Sequence, residues 1–433
     1  MRIIVPAKFY VEGGIERVIV SLLKEFEGII EGIVILLPEK SIATFQSSLP
    51  NSSKIIYESA SWPGSTIGTK QVRLLDYLQR LSRVLHVHFI NDWALNKSRD
   101  IRSSGRIRFL AKKYKCTHCL YFISNRVPFP RKLDIPVATI CHDIFWHFAP
   151  MTYPEKMLKE YDESLREWLV KADQIITVSA KTRQDLLTIF PGFESKVKAI
   201  PSASNRPDAI LKDNDLLKNL LRQNSLQIGQ KISFFFPSSF SLYKDHLTLM
   251  QAATQLFSIN SKFTVLLTGK DTERLASGDF DLAKQKGTFE YQNYVERLKQ
   301  LHAEHQMNWS HLFWGSGYCD LAMVEAVYQT CSCVVMPSRY EGFGLAIAEA
   351  IVRGIPVIAS DIEVFREQVE LYQCADRVQF FEAGNPEALK DCLQRFLDKP
   401  VPRLNSHEAS QRFDHWTWKK VAENYVSVLA SLS

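Results

Sequence analysis

An α/β protein of two parallel-sheet domains is predicted by three properties of this 433-residue sequence. Short apolar, β-rich runs alternate along the chain with helical patterns. Many of these runs are near-continuously apolar rather than alternating, as expected of strands covered on both faces of a parallel sheet. The length exceeds one ordinary core and suits two domains of about 200 residues each. The polar stretch Pro201 to Asp215, with two prolines and no strong periodicity, reads as the linker. It places the domains at 1–205 and 206–433.

In chain order, the strand Arg2 to Val5 leads into Gly13-Gly14 and a helix over Ile15 to Phe26. Further strands are expected at Gly32–Leu37, Val137–Cys141, Gln174–Val178, Ile232–Phe236, Phe263–Thr268, Cys333–Met336 and Pro356–Ala359. His86 and His88 alternate on one face of another, Val84 to Ile90, and read as structural. A final helix from about Asp414 to Leu432 carries Trp416, Val421, Tyr425, Val428 and Leu432 at helical spacings.

Composition is that of a soluble globular protein, 46% hydrophobic and 23% charged. No apolar run approaches the roughly 20 residues of a membrane span, and Met1 to Tyr10 has no signal-peptide pattern, so a cytoplasmic location is expected. The eight cysteines are scattered. Cys116-Thr117-His118-Cys119 lacks a second ligand pair nearby, which favours reduced structural thiols over zinc. Charge is uneven: Arg99 to Lys132 holds ten Lys or Arg against one Asp, interleaved with aromatic residues, while the whole chain carries +6. Such a surface suits anionic lipid headgroups, which would place the protein on the inner face of the plasma membrane, or it is simply a solvated basic face. No nucleic-acid recognition motif accompanies it.

The most informative stretch runs from Pro337 to Ile358. Val334 to Met336 end a strand, Gly342 and Gly344 allow the backbone to approach a ligand, and Leu345 to Val352 have helical spacing. Gly354 stands where a helix C-terminal glycine belongs, and Pro356 opens the next strand. Free N–H groups at the helix start favour an anion such as phosphate. On a single helix Glu341 and Glu349 would lie about 12 Å apart, beyond the roughly 5 to 9.5 Å of a glycosidase pair. Two carboxylates so separated suit the hydroxyl-bearing ends of a ligand whose middle is a diphosphate.

This segment resembles the Glu-x7-Glu signature of retaining nucleotide-sugar glycosyltransferases of family 4, whose GT-B fold has two Rossmann-like domains facing a cleft. Gly13-Gly14-Ile15-Glu16-Arg17 is similar to that family's first glycine loop, His142-Asp143 to its active-site histidine, and Ile175 to Ser179 to a strand and serine late in its first domain. Lys244-Asp245-His246 matches the phosphate-binding lysine, and Phe413 to Trp418 the aromatic-rich terminal helix. The resemblance implies that residues 414–433 cross back onto the first domain. An arginine usual near Ser238 is missing, and Arg339 and Arg17 are candidates to replace it.

Transfer of a hexose, mannose among the candidates, from a nucleotide-diphosphate sugar to a hydroxyl acceptor is therefore expected, in cell-surface polysaccharide or lipid-linked glycan assembly. Catalysis falls to Glu341, Lys244 and His142, and donor binding to Gly13, Gly14, Lys244, Glu341, Gly342, Phe343, Gly344, Leu345 and Glu349. No Gly-x-Gly-x-x-Gly follows the first strand, so no dinucleotide redox cofactor is expected. Asp213-Asn214-Asp215 and Asp279-Phe280-Asp281 match a metal-chelating pattern of other glycosyltransferases, yet neither directly follows a strand. With Lys244 and a helix N-terminus to neutralise phosphate, metal-independent activity is expected. A nucleotide-sugar epimerase on the same fold, or a non-catalytic binding subunit, are the alternatives.

Overall fold

A computed structural model describes residues 1–7, 13–60, 104–122, 127, 129–131, 133–150, 153–204, 231–280 and 288–432. The expected strand bearing His86 and His88, the domain boundary at 205, Asp213 to Asp215, Asp281, and Arg99 and Lys132 lie outside the described residues.

Thirteen strands are found among the described residues. They are β1 (Arg2–Pro6), β2 (Gly32–Leu37), β3 (Ile55–Ser59), β4 (His118–Tyr121), β5 (Val137–Cys141), β6 (Gln174–Thr177), β7 (Val197–Ala199), β8 (Ile232–Pro237), β9 (Phe263–Thr268), β10 (Phe313–Gly315), β11 (Cys333–Met336), β12 (Val357–Ser360) and β13 (Val378–Phe381). The first seven form one sheet in the order β3-β2-β1-β4-β5-β6-β7, and the last six another in the order β10-β9-β8-β11-β12-β13. Every pairing is parallel, with Ile3 opposite both Ile33 and His118, and Val334 opposite both Val357 and Phe235.

The apolar strands are buried on both faces, as their composition requires. Consecutive residues Phe234 and Phe235 are fully buried and point to opposite sides of β8. Phe234 meets Phe396 with ring centroids 5.7 Å apart, and Phe235 meets Tyr328 at 5.0 Å. In each sheet the strand order reverses once, between β1 and β4 and between β8 and β11. Crevices beyond the carboxyl ends of parallel strands at such reversals are where ligands bind. The loop with Gly13 and Gly14 follows β1, the loop with Lys244 follows β8, and the Glu341 loop follows β11. The topology therefore brings Gly13, Gly14, Lys244 and the Glu341 loop to the two reversal points, while His142 follows β5, one strand away from the first of them.

The chain ends differently from the expected continuous helix over Asp414–Leu432. A helix at Ser406–Phe413 stops, residues 414–417 make a turn, and a second helix runs over Trp418–Ala430. The turn is set by its side chains: Trp416 donates through its indole N–H to Ser202 O (3.0 Å) of the first domain, and His415 Nε2 lies 2.9 Å from Leu371 O. The last helix does pack on the first domain, with the Tyr425 ring edge-on to Phe26 of the helix Gly14–Ile29 at 6.3 Å.

Part of the basic stretch is neutralised internally. Arg106 is buried and pairs with Glu58 at 2.8 Å, and Lys113 reaches the same carboxylate at 3.0 Å. Cys116 and Cys119 are buried thiols, and burial pushes Cys116 up to about 11, as suits structural cysteines. Among the described residues no helix is long and apolar enough to cross a membrane.

Candidate functional site

Glu341 sits in the loop after β11, as its sequence setting predicts, and Glu349 in the middle of the helix Leu345–Val352. Gly344 precedes that helix with φ 81°, a left-handed conformation that glycine adopts without the Cβ penalty. Gly354 just past its end also has a positive φ, 69°. Among the described residues, the amides of Phe343, Gly344, Leu345 and Ala346 have no acceptor, so this helix start keeps its unsatisfied donors.

Both carboxylates are buried and held by cations. Lys244 Nζ donates to Glu341 Oε2 at 2.6 Å, and Ser338 Oγ to Glu341 Oε1 at 2.9 Å. Lys244 ends a short 3-10 turn, Leu242–Lys244, and the residue after it, Asp245, caps the helix His246–Phe257. Glu349 is gripped from both sides: Arg17 Nη1 of the first domain donates to Oε1 (2.5 Å) and Tyr328 OH to Oε2 (2.8 Å). The Glu349 carboxylate raises the pKa of Arg17. Arg353, paired with Glu325 at 2.6 Å, donates to the Glu349 carbonyl at 2.8 Å.

The two arginines considered as replacements for the absent one thus have partners already. Arg339 Nε pairs with the fully buried Asp245 at 2.7 Å, while Arg17 spans the cleft. Gly13 and Gly14 lie close by, for a Cβ placed on Gly14 would contact Leu345 Cδ1 at 3.8 Å. His142, after β5, touches the same loop through its backbone: a Cβ on Gly342 would stand only 1.9 Å from His142 O. Its ring Nε2 lies 2.7 Å from Phe122 O. A carbonyl can only accept, so Nε2 carries the proton and Nδ1 is the acceptor. Burial pushes this imidazole down to about 4, which keeps it neutral near pH 7.

The site residues expected from sequence therefore converge on one interdomain seam. The seam also contains Ser179, the serine noted after its strand, together with groups that sequence reasoning did not single out. Ser179 Oγ (2.6 Å) and Thr182 Oγ1 (2.8 Å) both donate to Gly342 O, and Gln368 Nε2 donates to Phe343 O and, at 3.1 Å, to Gly344 O. Glu367 accepts from Ala180 N (2.7 Å) and Lys181 N (2.9 Å), the free amides at the start of the helix Ala180–Ile189. Tyr340 OH accepts from Ile144 N at 3.3 Å, and its ring stacks on Phe148 at 4.9 Å. Ser179-x-x-Thr182 directly after a strand is a legible N-cap signal, but nothing in sequence links Gln368 or Tyr328 to this loop. Asp279 of the second acidic triplet pairs with Arg274 at 3.1 Å.

Residues 218–413 match the family model for glycosyl transferases group 1. The serotype-specific mannosyltransferase WbdA of Escherichia coli is 24% identical over 294 residues, covering 66% of this chain but 32% of the relative. The chain thus spans about a third of the length of that relative. The O-antigen chain mannosyltransferase RfbU of Salmonella typhimurium is 23% identical over 317 residues, covering 72% of this chain and 74% of its own. Anabaena HepE, solved in complex with UDP and glucose, superposes with a TM-score of 0.64 over the full length of both chains at 16% identity. Residues 218–413 are thus similar to the group 1 glycosyl transferases, and the whole chain shares the two-domain, parallel-sheet fold of HepE.

Proposed function

We propose that this protein transfers a hexose from a nucleotide-diphosphate sugar to a hydroxyl acceptor with retention at the anomeric carbon. The observation that carries the proposal is the convergence, on one seam, of a helix start with unpaired amides, a lysine, and two carboxylates placed on either side of it. In this reading Glu349 receives the ribose hydroxyls and Glu341, with the Phe343 and Gly344 backbone, the donor sugar. Lys244 and the helix amides stabilise the departing diphosphate, an electrostatic contribution that is often the largest in catalysis and requires no metal here. His142 offers Nδ1 to a sugar hydroxyl. No carboxylate is identified as a covalent nucleophile, so same-face attack follows, with the leaving phosphate taking the acceptor's proton. The tight seam excludes water and favours transfer over hydrolysis.

The mannosyltransferase relatives support mannose as the donor sugar and O-antigen or a similar surface polysaccharide as the product. The acceptor is then a glycan or lipid-linked glycan met in the cytoplasm, and the exposed part of the basic stretch would hold the protein to an anionic membrane face. A thermal-shift screen across nucleotide-sugars, followed by product analysis with the stabilising donor, tests the proposal. Stabilisation by at least one donor and its turnover only with an acceptor are expected. An epimerised sugar formed without acceptor would indicate an epimerase, and binding without turnover a binding subunit.

A further inference from the structure

In a planar trans peptide the C=O and the following N–H point in opposite directions, so whatever holds a carbonyl also aims an amide. Three successive peptide units of the loop after β11 are held in this way. Gly342 O accepts from two hydroxyls, Ser179 Oγ and Thr182 Oγ1, which use both its lone pairs. Phe343 O and Gly344 O are held by the side-chain amide of the fully buried Gln368. The amides of Phe343, Gly344 and Leu345 therefore point away from these groups, and among the described residues none of them meets a protein acceptor. Buried amides without acceptors are costly, and successive ones in a turn with a left-handed residue form an anion-binding concavity.

We propose that Ser179, Thr182 and Gln368 are positioning residues that aim the loop's amides at the donor's phosphate oxygens. This rests on the nucleotide-sugar reading above. Gln368 belongs to the same domain as the loop, but Ser179 and Thr182 sit at the start of the helix Ala180–Ile189 in the other domain. The phosphate site is consequently completed only when the first domain closes on Gly342. With the cleft open, Gly342 O loses both donors and the Phe343 amide is free to turn.

Thr182→Val removes the hydroxyl at nearly constant shape, Ser179→Ala removes the second, and Thr182→Ser restores the first. The affinities of UDP and GDP are measured by calorimetry, and those of uridine and guanosine by NMR titration, for each folded variant. Thr182→Val and Ser179→Ala should each weaken the preferred diphosphate about tenfold or more, leave its nucleoside within twofold, and Thr182→Ser should recover wild-type affinity. Equal weakening of diphosphate and nucleoside, or no weakening in either variant, overturns the positioning role while the donor reading stands. A wild-type protein that binds neither diphosphate overturns both.

Discussion

Arg17 and Glu349 meet across the cleft at 2.5 Å, joining the first helix of one domain to the helix that follows the glycine loop of the other. Arg17 keeps 31% of its side chain exposed and Glu349 only 10%, so the pair is partly desolvated. Removing one partner leaves a charge in a site where water solvates it poorly. Breaking a fully buried pair costs about 3–5 kcal/mol, and the exposure of Arg17 reduces the expectation for Arg17→Ala to about 2 kcal/mol. A double-mutant cycle with Glu349→Gln in chemical denaturation should return a coupling of about 1 kcal/mol or more. Additive effects would mean that the pair does not contribute to stability.

Glu349→Ala should weaken nucleotide-sugar binding at least tenfold in calorimetry, because two donors, the half-buried Arg17 and the buried Tyr328, lose their acceptor along with the ribose. Unchanged affinity would remove the proposed role of this carboxylate.

Lys244→Ala should lower kcat by roughly 10²–10³, the usual effect of deleting one preorganised donor to developing charge. Binding of the sugar-free nucleoside should change little. A variant with wild-type kcat would place the departing diphosphate elsewhere.

Gly342→Ala tests closure. Its φ is not left-handed, so alanine is acceptable to the loop alone, but the added methyl would lie 1.9 Å from His142 O. The domains must therefore part, with transfer falling at least a hundredfold and the radius of gyration in X-ray scattering rising. An active, equally compact variant would show that this contact is not needed.

Acid stability should reflect two buried imidazoles. His142 is pushed down to about 4 and His246 to about 3 from an ordinary 6.5, in each case first by burial. Both stay neutral in the native state while the unfolded chain protonates them, so the unfolded state binds more protons between pH 6.5 and 4. Their contribution is fully present above pH 6.5 and is lost as pH falls through that window, with a limiting slope of about 2.7 kcal/mol per pH unit for two groups. Denaturation free energies that stay flat between pH 7 and 4.5 would contradict this.

The β-rich runs, the glycine loops and the Glu341-x7-Glu349 spacing were legible because they depend on local patterns: strand burial, backbone conformation and helix geometry. The strands β3, β7, β10 and β13 carry weaker signals, being short or only partly buried. The terminal helix starts later than its apolar spacing predicts, since Trp416 obeys a contact with Ser202 rather than helical spacing.

By itself the sequence determined the class of fold, the order of the loops and the residue types offered at the strand ends. Only the tertiary structure decided which of those residues face one another, because strand order at the two sheet reversals and the approach of the domains bring together positions far apart in the chain. Arg17 and Glu349 are separated by 332 residues, and Ser179 and Gly342 by 163. No local propensity encodes such distances; they are set by which apolar faces the two sheets and the returning last helix must bury.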